Sequence, residues 1–253
     1  MSALLALLAT AAAAPICTDR PAKANATCTV PPGKVQLESN FAGWSLTETG
    51  GARAELLSLG STFVELGVTE RSDVQVAVTP YARLSVKDAG GRTHVSGFGD
   101  IWVRYKQRLS GGESKVQIGV IPFVKVPTAV RGLGNDKVEG GLAVPVGFIL
   151  SGPMTMTFGP ELDVLSDAAG SGRHVALVNL LNVAGPIASR LTLAGELWSA
   201  FNLDPAGTIK QASADVALAF AVSDDLQLDA GANLGLTNDT PDLEAYIGTS
   251  VRF

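Results

Sequence analysis

The stretch Gly99–Leu109, GDIWVRYKQRL, alternates Asp100, Arg104, Lys106 and Arg108 with Ile101, Val103, Tyr105 and Leu109. Successive side chains of an extended strand point to opposite sides, so this segment has one oily face and one cationic face. In a soluble sheet the charged face meets water and the oily face meets a core. In a membrane barrel the arrangement is inverted: the oily face meets lipid and the charges are enclosed. The rest of the chain decides between the two.

The same alternation recurs. Val74, Val76 and Val78 stand against Asp73, Gln75 and Thr79, and Val116, Ile118, Val120, Val124 and Val126 against Lys115, Gln117 and Lys125. Met154, Met156, Phe158, Leu162 and Val164 oppose Thr155, Thr157, Glu161 and Asp163, and Leu226, Leu228, Leu234 and Leu236 oppose Gln227, Asp229 and Asn233. Short alternating segments broken by Gly, Ser, Asp, Asn and Pro predict strands over 34–46, 53–68, 73–86, 97–109, 115–127, 137–150, 154–165, 173–184, 189–202, 209–222, 226–236 and 243–253. These make about twelve strands, an even number that returns both termini to one side of a closed antiparallel barrel.

A β-sandwich also alternates, but it hides its aliphatic faces between two sheets and turns its polar faces outward. Here the polar faces carry Gly, Ala, Ser and Thr beside the charges, which suits a narrow interior. The apolar faces are plain aliphatic, as lipid contact permits, and closure leaves no unpaired backbone edge in hydrocarbon. The connections are asymmetric too. TERS, SGGE, SGP, GPIA and SDD are tight turns, and the opposite set, with KDAGGRTHVS and TAVRGLGND, is longer. The expected fold is therefore all-β: a single antiparallel transmembrane β-barrel with periplasmic N- and C-termini.

The 253-residue chain is 46% hydrophobic and 17% charged, too apolar for a disordered chain and unusually so for a soluble surface. Its net charge of −5 is spread over many positions, which leaves no basic face for nucleic acid. No phosphate-binding loop, metal cluster or nucleotide fingerprint stands in a fitting context, so no cofactor is expected.

The opening MSALLALLATAAAAP is too short to span a bilayer and ends in a small-residue cleavage pattern, so residues 1–14 read as a signal peptide; a buried helix is the alternative. No connection is long enough to constrict the pore, so any plug comes from wall side chains or from residues 15–33. These are expected as a polar, Pro-rich periplasmic segment holding Cys17 and Cys28, the two cysteines of the chain. Export places them in an oxidising compartment, which favours a disulfide over free thiols. Two thiols without nearby His do not complete a tetrahedral metal site. The barrel proper is expected over 34–253.

The chain ends LEAYIGTSVRF, with Leu243, Ala245, Ile247, Val251 and Phe253 on one face. This resembles the C-terminal strand signal of Gram-negative outer-membrane barrels, with Phe253 as the residue read by the barrel assembly machinery. The bacterial outer membrane is the expected location, with its lipid, the assembly machinery and a small-molecule solute as partners.

In order, GKVQLES, VELGVTERSDVQVAVTPY, GFGDIWVRYKQRL, IPFVKVPTA, LDAGANLGLTND and YIGTSVRF resemble the MetA-pathway of phenol degradation family of outer-membrane transporters, from Lys34 to Phe253. The resemblance implies a barrel associated with aromatic-compound catabolism and carries no catalytic residues. The Cys17–Cys28 prologue and short outer loops depart from it.

With the oily face outward, Arg104, Lys106 and Arg108 point into the lumen and join Lys115 and Lys125 of the next strand in a basic stripe. Glu161, Asp163, Glu196, Asp215, Asp229 and Glu244 are the expected acidic wall across the interior, interrupted by Arg190 and Arg252. Such segregation either guides solutes through a wet pore or knits a salt-bridge network that fills the barrel. Trp102, Phe123, Trp198 and Tyr246 also fall inward, as an aromatic path or as packing. A bulge is expected near Asn179 and Asn182, because strict alternation exposes one of them to lipid.

The leading function is passive uptake of small molecules, aromatic compounds among them, through a charged lumen. The alternative is a sealed structural or anchoring barrel. An acyl hydrolase is the weakest reading: His94 and Ser96 weakly resemble the His-x-Ser arrangement of lipid A deacylases, and His174 is the other imidazole. No base and orienting group are fixed for them by the sequence.

Overall fold

The computed structural model describes residues 15–111 and 114–253; the signal-peptide reading of 1–14 lies outside the described residues. Sixteen ladder segments form one antiparallel sheet that closes on itself where β1 (Val35–Thr49) pairs with both β2 (Ala52–Thr69) and β16 (Leu243–Arg252). Eight of the segments join end to end as four strands of the wall: β3 (Ser72–Val78) with β4 (Tyr81–Asp88), β5 (Gly91–Gly97) with β6 (Ile101–Arg108), β8 (Glu139–Ala143) with β9 (Val146–Ile149), and β10 (Thr155–Phe158) with β11 (Glu161–Ser166). The remaining wall strands are β7 (Val116–Val126), β12 (Arg173–Ala188), β13 (Leu191–Asn202), β14 (Ile209–Ser223) and β15 (Leu226–Gly235). The result is a twelve-stranded barrel, as expected from the alternation.

Three of the four breaks fall at Pro80, Pro145 and Pro160, which have no N–H to give to the ladder. The register nonetheless runs through them. Gly119 N donates to Pro145 O at 3.0 Å and Gly159 N to Leu180 O at 3.0 Å, so the wall keeps its pairing across each proline.

The orientation is inside-out. On β13, Leu197 is 58% exposed on the outer face while the adjacent Glu196 is 5% exposed on the inner one. Val103 and Tyr105 are likewise exposed outside, whereas Lys106 is buried within. Gln36, Asp73, Gln75 and Ser250 are among the most completely buried side chains, a polar core that only an enclosed, hydrogen-bonded interior tolerates.

The bulge expected near Asn179 and Asn182 is absent: β12 pairs with β13 without a shift from Ala176 to Pro186. Asn182 points inward and donates to Glu196 Oε2 at 3.1 Å, and Asn179, at odd spacing from it, takes the opposite face. The register shifts lie instead at Asn40/Ala42, Gly67/Thr69, Pro186/Ala188 and Ala221/Ser223. Three of those four sit beside tight turns, where an extra residue costs little pairing.

Ile16 and Phe253 lie at one end of the barrel, here the terminal end. Phe253 N donates to Val35 O at 2.8 Å and Ile16 N to Asp224 O, in the β14–β15 turn, at 2.7 Å. The opposite, distal end carries the longer connections, 127–138 and 203–208 among them.

Candidate functional site: a plugged lumen

Residues 16–31 do not hang below the barrel. They enter the lumen as a hairpin stapled by the Cys17–Cys28 disulfide, whose Cα atoms are 6.2 Å apart. The segment has no secondary structure of its own, so its backbone polar groups need partners from the wall. On one side of the bore the inner faces of β1 and β3 supply them. Glu38 accepts from the N–H of Asp19 (3.0 Å) and of Arg20 (2.9 Å), Asp73 accepts from Val30 N at 3.0 Å, and Gln36 Nε2 donates to Cys17 O at 2.7 Å. Where the hairpin leaves the lumen, a Cβ at Gly67 would fall 2.0 Å from Pro31 O, so only glycine admits this approach.

Charge locks the hairpin in place. Lys106 Nζ lies 2.6 Å from Asp19 Oδ1 and Arg104 Nη2 lies 3.3 Å from Asp19 Oδ2. Burial pushes the Asp19 carboxyl up, but the Lys106 and Arg104 charges outweigh it and hold the group below the ordinary carboxylate range. The Arg20 guanidinium pairs with Asp229, and its Nη1 donates to Asn40.

The tip, residues 21–25, crosses to the far wall. Glu196 accepts from Lys23 N at 3.1 Å and from Ala24 N at 3.0 Å. Lys23 Nζ donates to Ser213 Oγ at 2.8 Å and to Asp215 Oδ2 at 2.9 Å, and stands 4.8 Å from the centre of the Trp198 ring. The hairpin is therefore a strap tied on both sides of the bore.

Three cavities flank the strap. One of about 470 Å³ is lined by Phe63, Trp102, Arg104, Phe123 and Tyr246, with plug residues 19–23 as its floor. A second of about 330 Å³ lies toward the distal end against Glu161, Asp163, Leu180 and Trp198. A third of about 300 Å³ lies toward the terminal end, between the hairpin and the small side chains Thr155, Thr157, Ala194 and Ala217. Asn25 borders all three.

The predicted basic stripe is only partly assembled. Lys106 and Arg104 face Asp19; Lys125, further toward the distal end, pairs with Glu139 at 2.8 Å and Asp100 at 3.5 Å. Arg108 donates to Glu70 O at 3.0 Å at the terminal rim, and Lys115 is exposed just before β7. Of the acidic wall, Glu196, Asp215 and Asp229 hold the hairpin, Glu244 lies 3.7 Å from Lys23 Nζ, and Glu161 and Asp163 line the second cavity. Trp102 and Phe123 meet at 5.7 Å between ring centres in the first cavity, which Tyr246 also lines; Trp198 lines the second. Phe253 closes the terminal end through its N–H to Val35.

His94 and Ser96 sit on β5 opposite Ser85 and Arg83, and both are exposed. His174 Nδ1 lies 2.8 Å from Asp167 Oδ1 and ties the distal loops.

Gln36 and Glu38, which seat the plug, and Glu65, which accepts from Gln36, are not among the residues singled out from the sequence, and Asp73 was placed only on the polar face of its strand. Their signal was present: VQLES and VELGVTERSDVQV place each on the inward face of a strand, where a buried carboxylate requires a partner.

A closed, inside-out antiparallel barrel with a polar bore defines the bacterial outer-membrane β-barrel class. The chain belongs to the family described as MetA-pathway of phenol degradation, whose profile matches residues 18–253 and so takes in most of the Cys17–Cys28 prologue as well as the barrel. Among solved structures it is similar to the COG4313 outer membrane channel from Pseudomonas putida F1, at 14% identity and a TM-score of 0.68, over 90% of this chain and 98% of that one. It is also similar to the NanC porin, at 9% identity and a TM-score of 0.53, over 86% of this chain and 98% of that one. No curated protein matches the sequence.

Proposed function

We propose that the chain is a passive outer-membrane channel for small molecules, aromatic compounds among them, with its terminal end in the periplasm and its bore barred by its own N-terminal hairpin. The observation that carries this reading is the set of cavities on both faces of the strap, which leaves residues 19–25 as the main material between distal and terminal space. The aromatic rings of the first cavity suit a flat apolar solute. Arg104 and Lys106, paired with Asp19 while the hairpin is seated, line the bore once it leaves, and then supply the field that guides polar solutes. The comparison with a solved outer membrane channel and the family's association with phenol degradation support the same reading. In this reading His94 and Ser96 on β5 and His174 on β12 are rim residues.

The test is transport by the purified protein: ion conductance in planar bilayers together with uptake of aromatic acids into proteoliposomes. The reading expects both, and expects each to rise when residues 16–29 are removed. A barrel that passes neither ions nor solutes with the hairpin removed is a sealed scaffold, and the reading falls.

A further inference from the structure

The lumen contains a built ammonium site whose occupant is the chain's own Lys23. Its Nζ donates to Ser213 Oγ at 2.8 Å and to Asp215 Oδ2 at 2.9 Å, and Glu244 Oε2, at 3.7 Å, adds a second carboxylate charge. A primary ammonium has three N–H donors and no acceptor, which suits a pocket of acceptors and carboxylates. The Trp198 ring, 4.8 Å away, covers a further side as aromatic faces do for organic cations.

The wall residues carry more negative charge and more acceptors than Lys23 uses. Asp215 is 8% exposed and Asn233, its cross-strand neighbour, 5%. Both Asp215 Oδ1 and Asn233 Oδ1 are buried acceptors with no hydrogen-bond partner among the described residues. Unmet acceptors of this kind are costly in a low-dielectric interior, and an ammonium free of the hairpin's backbone can turn its donors toward them. A further cavity of about 150 Å³ opens beside Asn233, Glu244 and Tyr246.

The site is reachable. The Lys23 side chain is 29% exposed and that of Glu244 is 32% exposed, both toward the lumen. Lys23 is also the tip of the strap, where the hairpin holds the β13–β14 wall.

We propose that Asp215, Glu244, Ser213 and Trp198 form a binding site for a small primary organic amine, which competes with Lys23 and so releases the tip of the plug. The proposal deepens the channel reading by naming a solute class, and it rests on that reading for the route by which the amine arrives. A ligand with an ammonium head and a compact aromatic body fits the acceptors at one end and the Trp198 face beside them. A carboxylate at the same place meets Asp215 and Glu244 and is repelled.

Binding is measured on folded barrel in detergent, where no transport is needed, so this test and the transport test can fail separately. Lys23→Ala vacates the site, and benzylamine is titrated into it by calorimetry. The expected result is saturable binding at least tenfold tighter than to the unaltered chain, loss of that binding in Lys23→Ala/Asp215→Asn, and none for benzoate. If the Asp215→Asn barrel does not fold, Lys23→Ala/Glu244→Gln replaces it, with the same expected weakening. Absence of saturable benzylamine binding to Lys23→Ala, or binding that neither wall substitution weakens, overturns the proposal and leaves the channel reading standing.

Discussion

Asp19 of the N-terminal hairpin lies 2.6 Å from the ammonium of Lys106 on the barrel wall, and Lys106 is 2% exposed. The pair joins segments far apart in sequence and determines how the basic stripe behaves: its central charge is spent on holding the plug. Asp19→Asn removes the carboxylate that ties the hairpin to Lys106 and Arg104, while Glu65 and Asp73 remain near Lys106, so that its charge is not stranded. The substitution should therefore unseat the hairpin while leaving the barrel closed. Trypsin cleavage after Lys23 in folded protein reads this directly, since the Arg20–Pro21 bond resists the protease. Cleavage as slow as in the unaltered chain would show that the pair does not secure the plug.

The Cys17–Cys28 staple acts on the same hairpin by restricting its unseated state. Closing a loop of this length is worth about 2–3 kcal/mol in the chain-entropy account. Cys17→Ser/Cys28→Ser should raise the rate of trypsin cleavage after Lys23 by one to two orders of magnitude, while the fast migration of the unheated, folded barrel on gels is retained. Loss of the barrel itself would make the disulfide a requirement for the fold.

The lipid-facing assignment has a direct energetic consequence. Leu197, on the outer face midway along β13, should tolerate Val or Phe but not a cation. Leu197→Arg is expected to cost about 2–4 kcal/mol in folding into vesicles, the range for a cation at the bilayer midplane. Denaturant titration in lipid measures it. A change under about 0.5 kcal/mol, the range of ordinary surface substitutions, would mean that Leu197 faces water.

At the distal end Asp204 accepts from the N–H of Ala206 at 2.7 Å and of Ala168 at 2.8 Å. The Ala206 bond, then the Ala168 bond, hold its carboxyl below the ordinary range, against a small opposing effect of desolvation. A depressed folded value means that the tie is fully present above about pH 4 and is lost as the pH falls through the lowered value. Amide exchange at Ala168 and Ala206, followed from pH 6 to pH 2, should lose protection only below about pH 4. Protection that is the same across that range, or that is lost at pH 5, contradicts it.

The barrel was legible because lipid contact imposes a period of two on the strands: 73–79 and 154–164 display it, and 115–126 departs from it only at Ile121 and Phe123, which face the bore. The prolines that break the ladder at 80, 145 and 160 left no mark on that period, since a missing N–H does not change which way a side chain points. Asn179 misled for a related reason: a lone amide on the outer face looks forbidden, yet the register keeps it there and buries Asn182 instead. The N-terminal segment was a candidate plug from its position alone, but how it seats was illegible for a stronger reason. Residues 16–31 have no periodicity, and what places them is long-range pairing of Asp19, Arg20 and Lys23 with walls up to two hundred residues away. Sequence alternation identified Glu196, Asp215 and Asp229 as inward; that their partners arrive from the N-terminus is a property of the closed bore.

The most direct test of the account is single-channel conductance in planar bilayers for the full chain, for Glu196→Ala and for the chain lacking residues 16–29. Glu196 ties the tip of the strap through the N–H groups of Lys23 and Ala24, so its loss should multiply the open time severalfold. Removal of the whole hairpin should give a larger and steady step. Equal conductance in all three would contradict a bore closed by its own N-terminus.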